Sequence, residues 1–221
     1  MSRYKVMALG LGAALLVGGC ATESSRAIVV QKTQAAATAY SGPRVSVAIG
    51  KFDNRSTFMR GVFSDGNDRL GSQAKTLLVA HLQQSQRFAV LDRDNLNESG
   101  QEAKLQGASQ AIRGASYVVT GDISEFGRKE VGDMQFFGVL GRGKKQVAYA
   151  KVTLNVVNPL TSEVVFSAGG AGEYELSQRE VLGFGSTASY DATLNGKVLD
   201  LALREAVDGL AAGRDAGQWG K

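Results

Sequence analysis

The stretch Val147–Val157, VAYAKVTLNVV, decides the fold that we predict for this chain. Its apolar side chains recur at every second position, which is the period of a β-strand with one buried face. The residues on that face are Ala148, Ala150, Val152, Leu154 and Val156. The turn formers Asn158–Thr161 follow, and Val164–Phe166 returns as an antiparallel partner strand. The centre of the domain is therefore a β-sheet.

Upstream of this strand, extended and helical patterns alternate. The predicted strands are Val45–Phe52, Phe88–Leu91 and Tyr117–Phe126. A loop spans Asn54–Asp68, and a helix covers Arg69–Gln84 because its leucines recur at helical spacing. A second, more polar helix is capped by Asp92 or Asp94 and runs towards Ile112. This order predicts helices packed on a sheet.

Downstream, the chain closes with a predicted helix from about Asp191 to Ala212. One face carries Leu194, Val198, Leu201, Ala202, Ala206 and Leu210. Trp219 follows the helix and either packs back on the core or lies at an interface. The fold class is α+β, a sheet-and-helix domain over residues 43–221.

Two glycine-rich segments, Gly127–Gln146 and Gly169–Tyr190, are predicted to form long β-hairpins that protrude from the sheet. Their apolar residues are Phe136, Phe137, Val139 and Leu140 in the first, and Tyr174, Leu176, Val181, Leu182 and Phe184 in the second. Each segment is about as long as two membrane-crossing strands of ~9–11 residues. An open sheet edge is not stable in lipid, so insertion requires hairpins from several copies to close a barrel. Soluble hairpins that cover the core are the alternative.

The first twenty residues have the layout of an export signal. Met1–Lys5 is a short positive segment, the apolar run Val6–Val17 follows, and Gly18-Gly19-Cys20 ends it. The apolar run is shorter than the ~20 residues of a membrane-spanning helix, which disfavours a retained anchor. A plain secretory signal with a chance cysteine is the other alternative.

The sequence around Cys20 resembles the lipobox of bacterial lipoproteins. In that class the cysteine sulfur takes a diacylglyceryl group, and after residues 1–19 are removed the new N-terminus is acylated too. Several acyl chains are needed for stable anchoring. Ala21 follows, where an aspartate would signal retention at the inner membrane, so the resemblance implies an outer-membrane lipid anchor with the folded domain in the periplasm. Residues 20–42 are rich in Ala, Thr, Gln and Ser and are predicted to be a tether.

Composition and motifs argue against several functional classes. The formal charge of +4 includes two basic residues of the export signal, so a nucleic-acid partner is not expected. A single cysteine and a single histidine disfavour disulfides and a zinc site, and His81 is expected at the surface or the core edge. Gly141–Lys145 lacks the spacing of a phosphate-binding loop, and Ser186 and Ser189 have no evident histidine partner. We therefore expect no enzymatic activity, no cofactor and no metal.

Several segments, in order, resemble the CsgG family, the curli production assembly/transport component and its holdfast-anchoring relatives. They are VSVAIGKFDN (45–54), AKTLLVAHLQQSQRFAVLDRDNL (74–96), GASYVVTGDISEF (114–126), AKVTLNVVNPLTSEVVFS (150–167) and GFGSTASYDATLNGKVLDLALREAVDGL (183–210). The resemblance implies an outer-membrane lipoprotein that assembles into a homo-oligomeric ring. Each copy would give two hairpins to a shared pore, through which unfolded amyloid-like subunits pass without a nucleotide, helped by accessory secretion proteins.

The sequence departs from the family in one loop. In the family, a loop before the first long helix narrows the channel with a Tyr, an Asn and a Phe in a Tyr-Pro-Ala-Ser-Asn-Phe setting. The equivalent loop here, Phe58–Leu70, reads FMRGVFSDGNDRL and lacks that string. Phe58, Phe63 and Asn67 have the right chemical character for a constriction, although none is carried over by a motif match.

Two functions of different classes therefore remain in competition. The first is a secretion pore for curli-like subunits or for related export and anchoring of surface fibres. The second is a periplasmic lipoprotein that never inserts and acts as an interaction partner or regulator of envelope assembly. The pore requires two long hairpins, and the chain retains both. The regulator does not require them. An envelope or cell-surface scaffold is a third hypothesis.

Overall fold

Five strands form one mixed sheet in the order β2-β1-β3-β4-β5. This computed structural model describes Thr33 and residues 38–58, 68–134, 142–179 and 193–220. The strands are β1 (Val45–Asn54), β2 (Phe88–Leu91), β3 (Tyr117–Met134), β4 (Arg142–Val157) and β5 (Val164–Arg179). Strand β1 runs parallel to both of its neighbours, β2 and β3, whereas β3, β4 and β5 are successively antiparallel. The parallel pairs are joined by helical connections, as parallel strands require.

Two long helices cover one face of this sheet. They are α1 (Arg69–Gln84), which packs on β1 and β2, and α3 (Thr193–Asp215), which packs on β4 and β5 and against α1. Both match the predicted helices closely. A shorter helix, α2 (Leu96–Leu105), joins β2 to β3 and buries none of its residues. In the described part of the chain, no helix is both long enough and apolar enough to cross a membrane.

The predicted inner face of β4 is confirmed. Ala148, Ala150, Val152, Leu154 and Val156 are all at most 2% exposed. Opposite them, α3 contributes buried residues at helical spacing, namely Val198, Ala202, Leu203, Ala206 and Leu210. The hydrophobic core therefore lies between the sheet and the pair of helices, where burial of apolar area provides the main stabilisation.

Helix α3 lies directly on the backbone of β5. A Cβ atom at Gly170 would overlap the carbonyl oxygen of Ala202 and lie 2.6 Å from the backbone nitrogen of Ala206. At Gly172 it would lie 2.6 Å from the carbonyl oxygen of Val198. Both glycines thus permit a helix–strand approach that no larger residue allows.

Trp219 packs back on the core, which was one of the two predicted placements. Its ring stacks on Phe88 and Phe166 with centroids 5.7 and 6.2 Å apart, and meets Tyr117 edge-on at 5.6 Å. The indole Nε1–H donates a hydrogen bond of 3.2 Å to the carbonyl oxygen of Leu210. The C-terminal residues thereby close the core beyond the end of α3.

The prediction for α2 was wrong at both ends. The helix begins after Asn95, and Asp92 lies outside it, accepting a 2.7 Å hydrogen bond from the Asn95 side chain that lowers the pKa of this carboxyl. At the other end, α2 stops at Leu105 and does not continue to Ile112. The cause is Gly107, whose φ of 72° is a left-handed conformation that terminates helices.

The strands are longer than predicted. β5 does not end at Phe166 but continues to Arg179, because its glycines keep extended geometry where they face α3. β3 likewise continues without interruption from Tyr117 to Met134. The two predicted hairpin segments are therefore, in their described parts, continuations of the central sheet.

His81 is buried, not at the surface or the core edge as predicted. It is 1% exposed on α1, and its Nε2 lies 2.8 Å from Oδ1 of Asp200 on α3. The carboxylate accepts the Nε2–H, so the two helices are joined by a polar contact inside an apolar layer. No local pattern predicts this pair, because 119 positions separate its members.

We expect Asp200→Ala to lower the free energy of unfolding by about 2 kcal/mol, since it leaves a buried imidazole N–H without its acceptor. Urea denaturation followed by circular dichroism measures the change. Asp200→Asn keeps an acceptor oxygen and is expected to lose less than half as much. Equal losses for the two variants would contradict this role of the hydrogen bond.

Candidate functional site

The three antiparallel strands extend beyond the helical layer. The first turns of α3 make two polar contacts with the sheet. The Nε of Arg128 donates a 2.7 Å hydrogen bond to Oδ1 of Asn195. The ammonium group of Lys197 lies 5.0 Å from the centroid of the Tyr174 ring. Past this level, β3 continues for six more residues to Met134, which is ~20 Å of strand. We call this extension, residues 128–134, 142–148 and 174–179, the ribbon.

Both edges of the ribbon lack a partner strand within the described residues. The pairing of β1 with β3 ends at Asn54 and Ile123, so further along β3 pairs only with β4. On the other side, β5 pairs only with β4. Unpaired strand edges expose rows of N–H and C=O groups and favour pairing with another chain.

The open face at the base of the ribbon is polar and partly filled by an aromatic ring. The side chain of Tyr149 lies across Gly127, where a Cβ atom would collide with the phenol. Beside it, Nζ of Lys151 and Oε1 of Glu125 form a 2.9 Å ion pair. A shallow groove of about 450 Å³ runs along this face, between Lys129 and Glu173. The aromatic–glycine pair stabilises the sheet where the helical layer ends.

The loop between β1 and α1 leaves the core beside the ribbon. Its two ends are joined because Oδ2 of Asp68 accepts a 2.6 Å hydrogen bond from the N–H of Asn54. Oδ1 of Asp68 accepts another, of 2.7 Å, from the N–H of Gly71 and so caps α1. Phe58 lies at the start of this loop, half-buried, with its ring centroid 4.7 Å from that of Phe126. The two described ends of the loop therefore lie at the same end of the domain as the ribbon.

The structure places only some of the predicted site residues. Phe58 lies at the loop base, Tyr174 lies on β5 under α3, and Leu176 pairs through its backbone with Gln146. The others lie outside the described residues, namely Cys20, Phe63, Asn67, Phe136, Phe137, Val139, Leu140, Val181, Leu182 and Phe184. Their predicted roles in lipidation, constriction and membrane insertion remain predictions.

A cluster at the opposite end of the domain was not predicted. The ring of Tyr40, at the end of the predicted tether, lies between the guanidinium groups of Arg87 and Arg214, with centroid distances of 5.0 and 4.8 Å. Nε of Arg87 also forms a 2.7 Å ion pair with Oδ2 of Asp215 at the end of α3. These cation–π contacts fix the entry of the chain into the domain beside the start of β1. The residues are far apart in sequence, so no local pattern reveals the cluster.

The described residues contain no group of three or more His, Cys, Asp or Glu side chains that would hold a metal ion. What distinguishes the site is a sheet prolonged past its helices, with two edges that have no partner strand among the described residues.

The comparison with protein families agrees with the resemblance seen in the sequence. Residues 26–213 match the family described as "Curli production assembly/transport component CsgG". The chain belongs to the CsgG family.

Among individual proteins, the chain is 61% identical over 207 residues to "Putative lipoprotein NMB1126/NMB1164" of Neisseria meningitidis serogroup B, covering 94% of this chain and 93% of that protein. Two solved structures are more distant. The PelC dodecamer of Paraburkholderia phytofirmans has 17% identity and a TM-score of 0.33, covering 76% of this chain and 93% of that one. Lipoprotein GNA1162 of Neisseria meningitidis has 13% identity and a TM-score of 0.35, covering 78% and 99%.

Proposed function

We propose that this protein is an outer-membrane lipoprotein whose copies assemble into a ring and form a nucleotide-independent channel for the export of unfolded, amyloid-type subunits. The proposed role is the transport of unfolded polypeptide and not catalysis. The observation that carries the proposal is the ribbon, which extends ~20 Å beyond the helical layer with both edges open.

The open edges explain why several copies are needed. A three-stranded ribbon in one copy cannot satisfy its own edge N–H and C=O groups. In the proposed ring, the edge of β3 beyond Ile123 pairs with the second hairpin segment of a neighbouring copy. Each subunit then supplies the hydrogen-bond partners that the backbone groups at the edge of the next subunit lack. A head-to-tail contact of this kind closes into a ring when the rotation per subunit permits.

Family membership and the N-terminus support the same function. The CsgG family model covers residues 26–213, which includes both hairpin segments. Cys20 in its lipobox-like setting would attach each copy to the membrane, and the relative at 61% identity carries a lipoprotein name. The loop that starts at Phe58 leaves the core beside the ribbon, where in a ring it would border the passage.

Electron microscopy of the acylated protein extracted in detergent tests the proposal. We expect rings with a central opening, and ion conductance when they are reconstituted into planar bilayers. Uniformly monomeric particles from the unaltered protein would contradict the proposal and favour the non-inserting periplasmic regulator.

A shortened hairpin provides the matched variant. Replacing residues 130–146 with Asn-Gly joins Lys129 and Val147, which already pair, through a two-residue hairpin turn. This variant is expected to keep the far-ultraviolet circular dichroism and Tm of the helix-covered core but to lose the rings. Leu160→Ser, at a fully exposed turn on the other end of the sheet, is the control and is expected to keep them.

A further inference from the structure

A groove runs between helix α1 and the edge strand β2. It has a volume of about 590 Å³ and is lined by the end of β2, by Ile49 of β1 and by one row of α1 at helical spacing. The row consists of Ser72, Lys75, Thr76, Val79 and Gln83. Over these 83 − 72 = 11 positions the helix rises by ~16 Å, which is the length of about five residues of extended chain. The groove therefore matches a short strand in length.

Strand β2 has an unpaired outer side. It is the first strand in the sheet order, so among the described strands only β1 pairs with it. The carbonyl oxygen of Arg87 accepts a 3.0 Å hydrogen bond from β1, and backbone groups that face the same neighbour recur at every second residue. Ala89 and Leu91 therefore also face β1. The N–H and C=O groups of Phe88 and Val90 point away from the sheet, where they offer a template for an added strand.

The floor of the groove is apolar. Ile49, Val79 and Val90 line it, and all three pack against the hydrophobic core. Val90 pairs in register with the buried Val47, so its side chain lies on the helix-covered face of the sheet. In a strand added beside β2, every second side chain would therefore point to this floor.

The charged side chains of the groove already have partners. Nζ of Lys75 lies 2.6 Å from Oδ2 of Asp94, and the guanidinium group of Arg93 donates a hydrogen bond to the carbonyl oxygen of Arg113. Oδ2 of Asp92 accepts a 2.7 Å hydrogen bond from a neighbouring asparagine. The two basic and two acidic residues of the lining give a net charge of 2 − 2 = 0. A charged occupant would lose hydration without gaining an ion pair, so the groove favours an uncharged one.

We propose that this groove binds an uncharged, extended polypeptide segment of high β-propensity, which adds to the outer edge of β2 as a further strand. Backbone hydrogen bonds to Phe88 and Val90 would hold the segment, and its alternate side chains would enter the groove beside α1. Short segments of this composition are typical of amyloid-forming chains. The inference rests on the proposed function for the identity of the occupant, which is the unfolded subunit before it enters the channel.

A labelled peptide tests the docking. The probe is fluorescein-labelled SVQVNVS with an amidated C-terminus, and its fluorescence anisotropy is measured as the acylated full-length protein is added in detergent. We expect saturable binding, and binding weaker by about tenfold when glutamate and aspartate replace the glutamine and asparagine of the peptide. Equal affinity for the acidic peptide, or no saturable binding of the neutral one, would overturn the proposal.

Two substitutions at one position test the strand edge. Val90→Pro removes the outward N–H but leaves the pairing with β1, since proline is tolerated on an edge strand when its nitrogen faces solvent. It should weaken peptide binding by about tenfold. Val90→Ala removes more of the apolar side chain but keeps the N–H, and should bind the peptide at least about threefold more tightly than the proline variant. The reverse order of affinities would contradict strand addition.

A filled groove provides an independent variant that leaves the strands unaltered. Thr76→Trp places an indole in the groove and should weaken peptide binding by about tenfold. Gln73→Trp makes the same kind of change at an exposed position of α1 outside the groove, and should leave binding unchanged. Equal affinities for these two variants would place the peptide elsewhere and overturn the proposal.

Electron microscopy of the same samples separates this inference from the channel. Rings that bind no peptide would overturn the groove as a docking site and leave the channel standing. Monomers that bind the peptide in the groove would contradict the channel and still support the binding site.

Discussion

Gly170→Ala is expected to destabilise the domain by about 3 kcal/mol, near the upper end of the usual cost of overpacking a core. The added methyl group would overlap the carbonyl oxygen of Ala202 and approach the backbone nitrogen of Ala206. Neither atom belongs to a flexible side chain, so relief requires α3 to move away from β5. That movement would loosen the helix along the core that it shares with β4.

The neighbouring residue provides a control of the same chemistry. A Cβ atom at Gly169 would meet only the carbonyl oxygen of Val152, at an ordinary 3.8 Å, on the open face of the sheet. Gly169→Ala is therefore expected to be neutral or to stabilise by about 0.5 kcal/mol, since it restricts the unfolded chain. Thermal unfolding should show a Tm lower by roughly 6–12 °C for Gly170→Ala alone. Equal Tm values for the two variants would refute the close packing of α3 on β5.

Trp219→Ala is expected to lower the free energy of unfolding by about 4 kcal/mol, within the range measured for buried Trp to Ala changes. The residue is 4% exposed, and its ring contacts Phe88, Phe166 and Tyr117. Removal of the indole would leave a cavity beside β2 and β5. The surrounding aromatic rings belong to strands of one sheet, which cannot move together to fill this cavity.

Guanidinium denaturation followed by circular dichroism measures this loss, because Trp219 is the one tryptophan of the chain and its fluorescence disappears with it. Trp219→Phe keeps an aromatic ring but removes the Nε1–H bond to Leu210, so we expect it to lose about 1–2 kcal/mol. An alanine variant as stable as the phenylalanine variant would show that the ring contacts contribute little.

Local periodicity predicted the parts of the fold in which one face of an element is buried. The alternation in Val147–Val157 identified the inner face of β4 correctly, and the leucine spacing of Arg69–Gln84 defined α1. In β4 each residue on the inner face is apolar because it lies between the sheet and the helices, and in α1 the buried residues are apolar except for His81. The exposed helix α2 has no such face, which is why both of its ends were misplaced.

Sequence patterns did not predict contacts between residues that are far apart in the chain. The burial of His81 depends on Asp200, and the position of Tyr40 depends on Arg87 and Arg214. The length of β5 was underestimated because glycine has a low strand propensity, although here it is required by the approach of α3. For the candidate site, the sequence identified the two unusual segments but not their continuity with the sheet.

The burial of Thr33 limits how far the domain can stand from the membrane. Thr33 belongs to the predicted tether, yet it is only 1% exposed. At most the 33 − 20 = 13 residues from Cys20 to Thr33 can therefore extend freely, and they reach about 45 Å when fully stretched. An acylated Cys20 would thus keep the membrane surface within that distance of Thr33, whichever way the subunit is oriented.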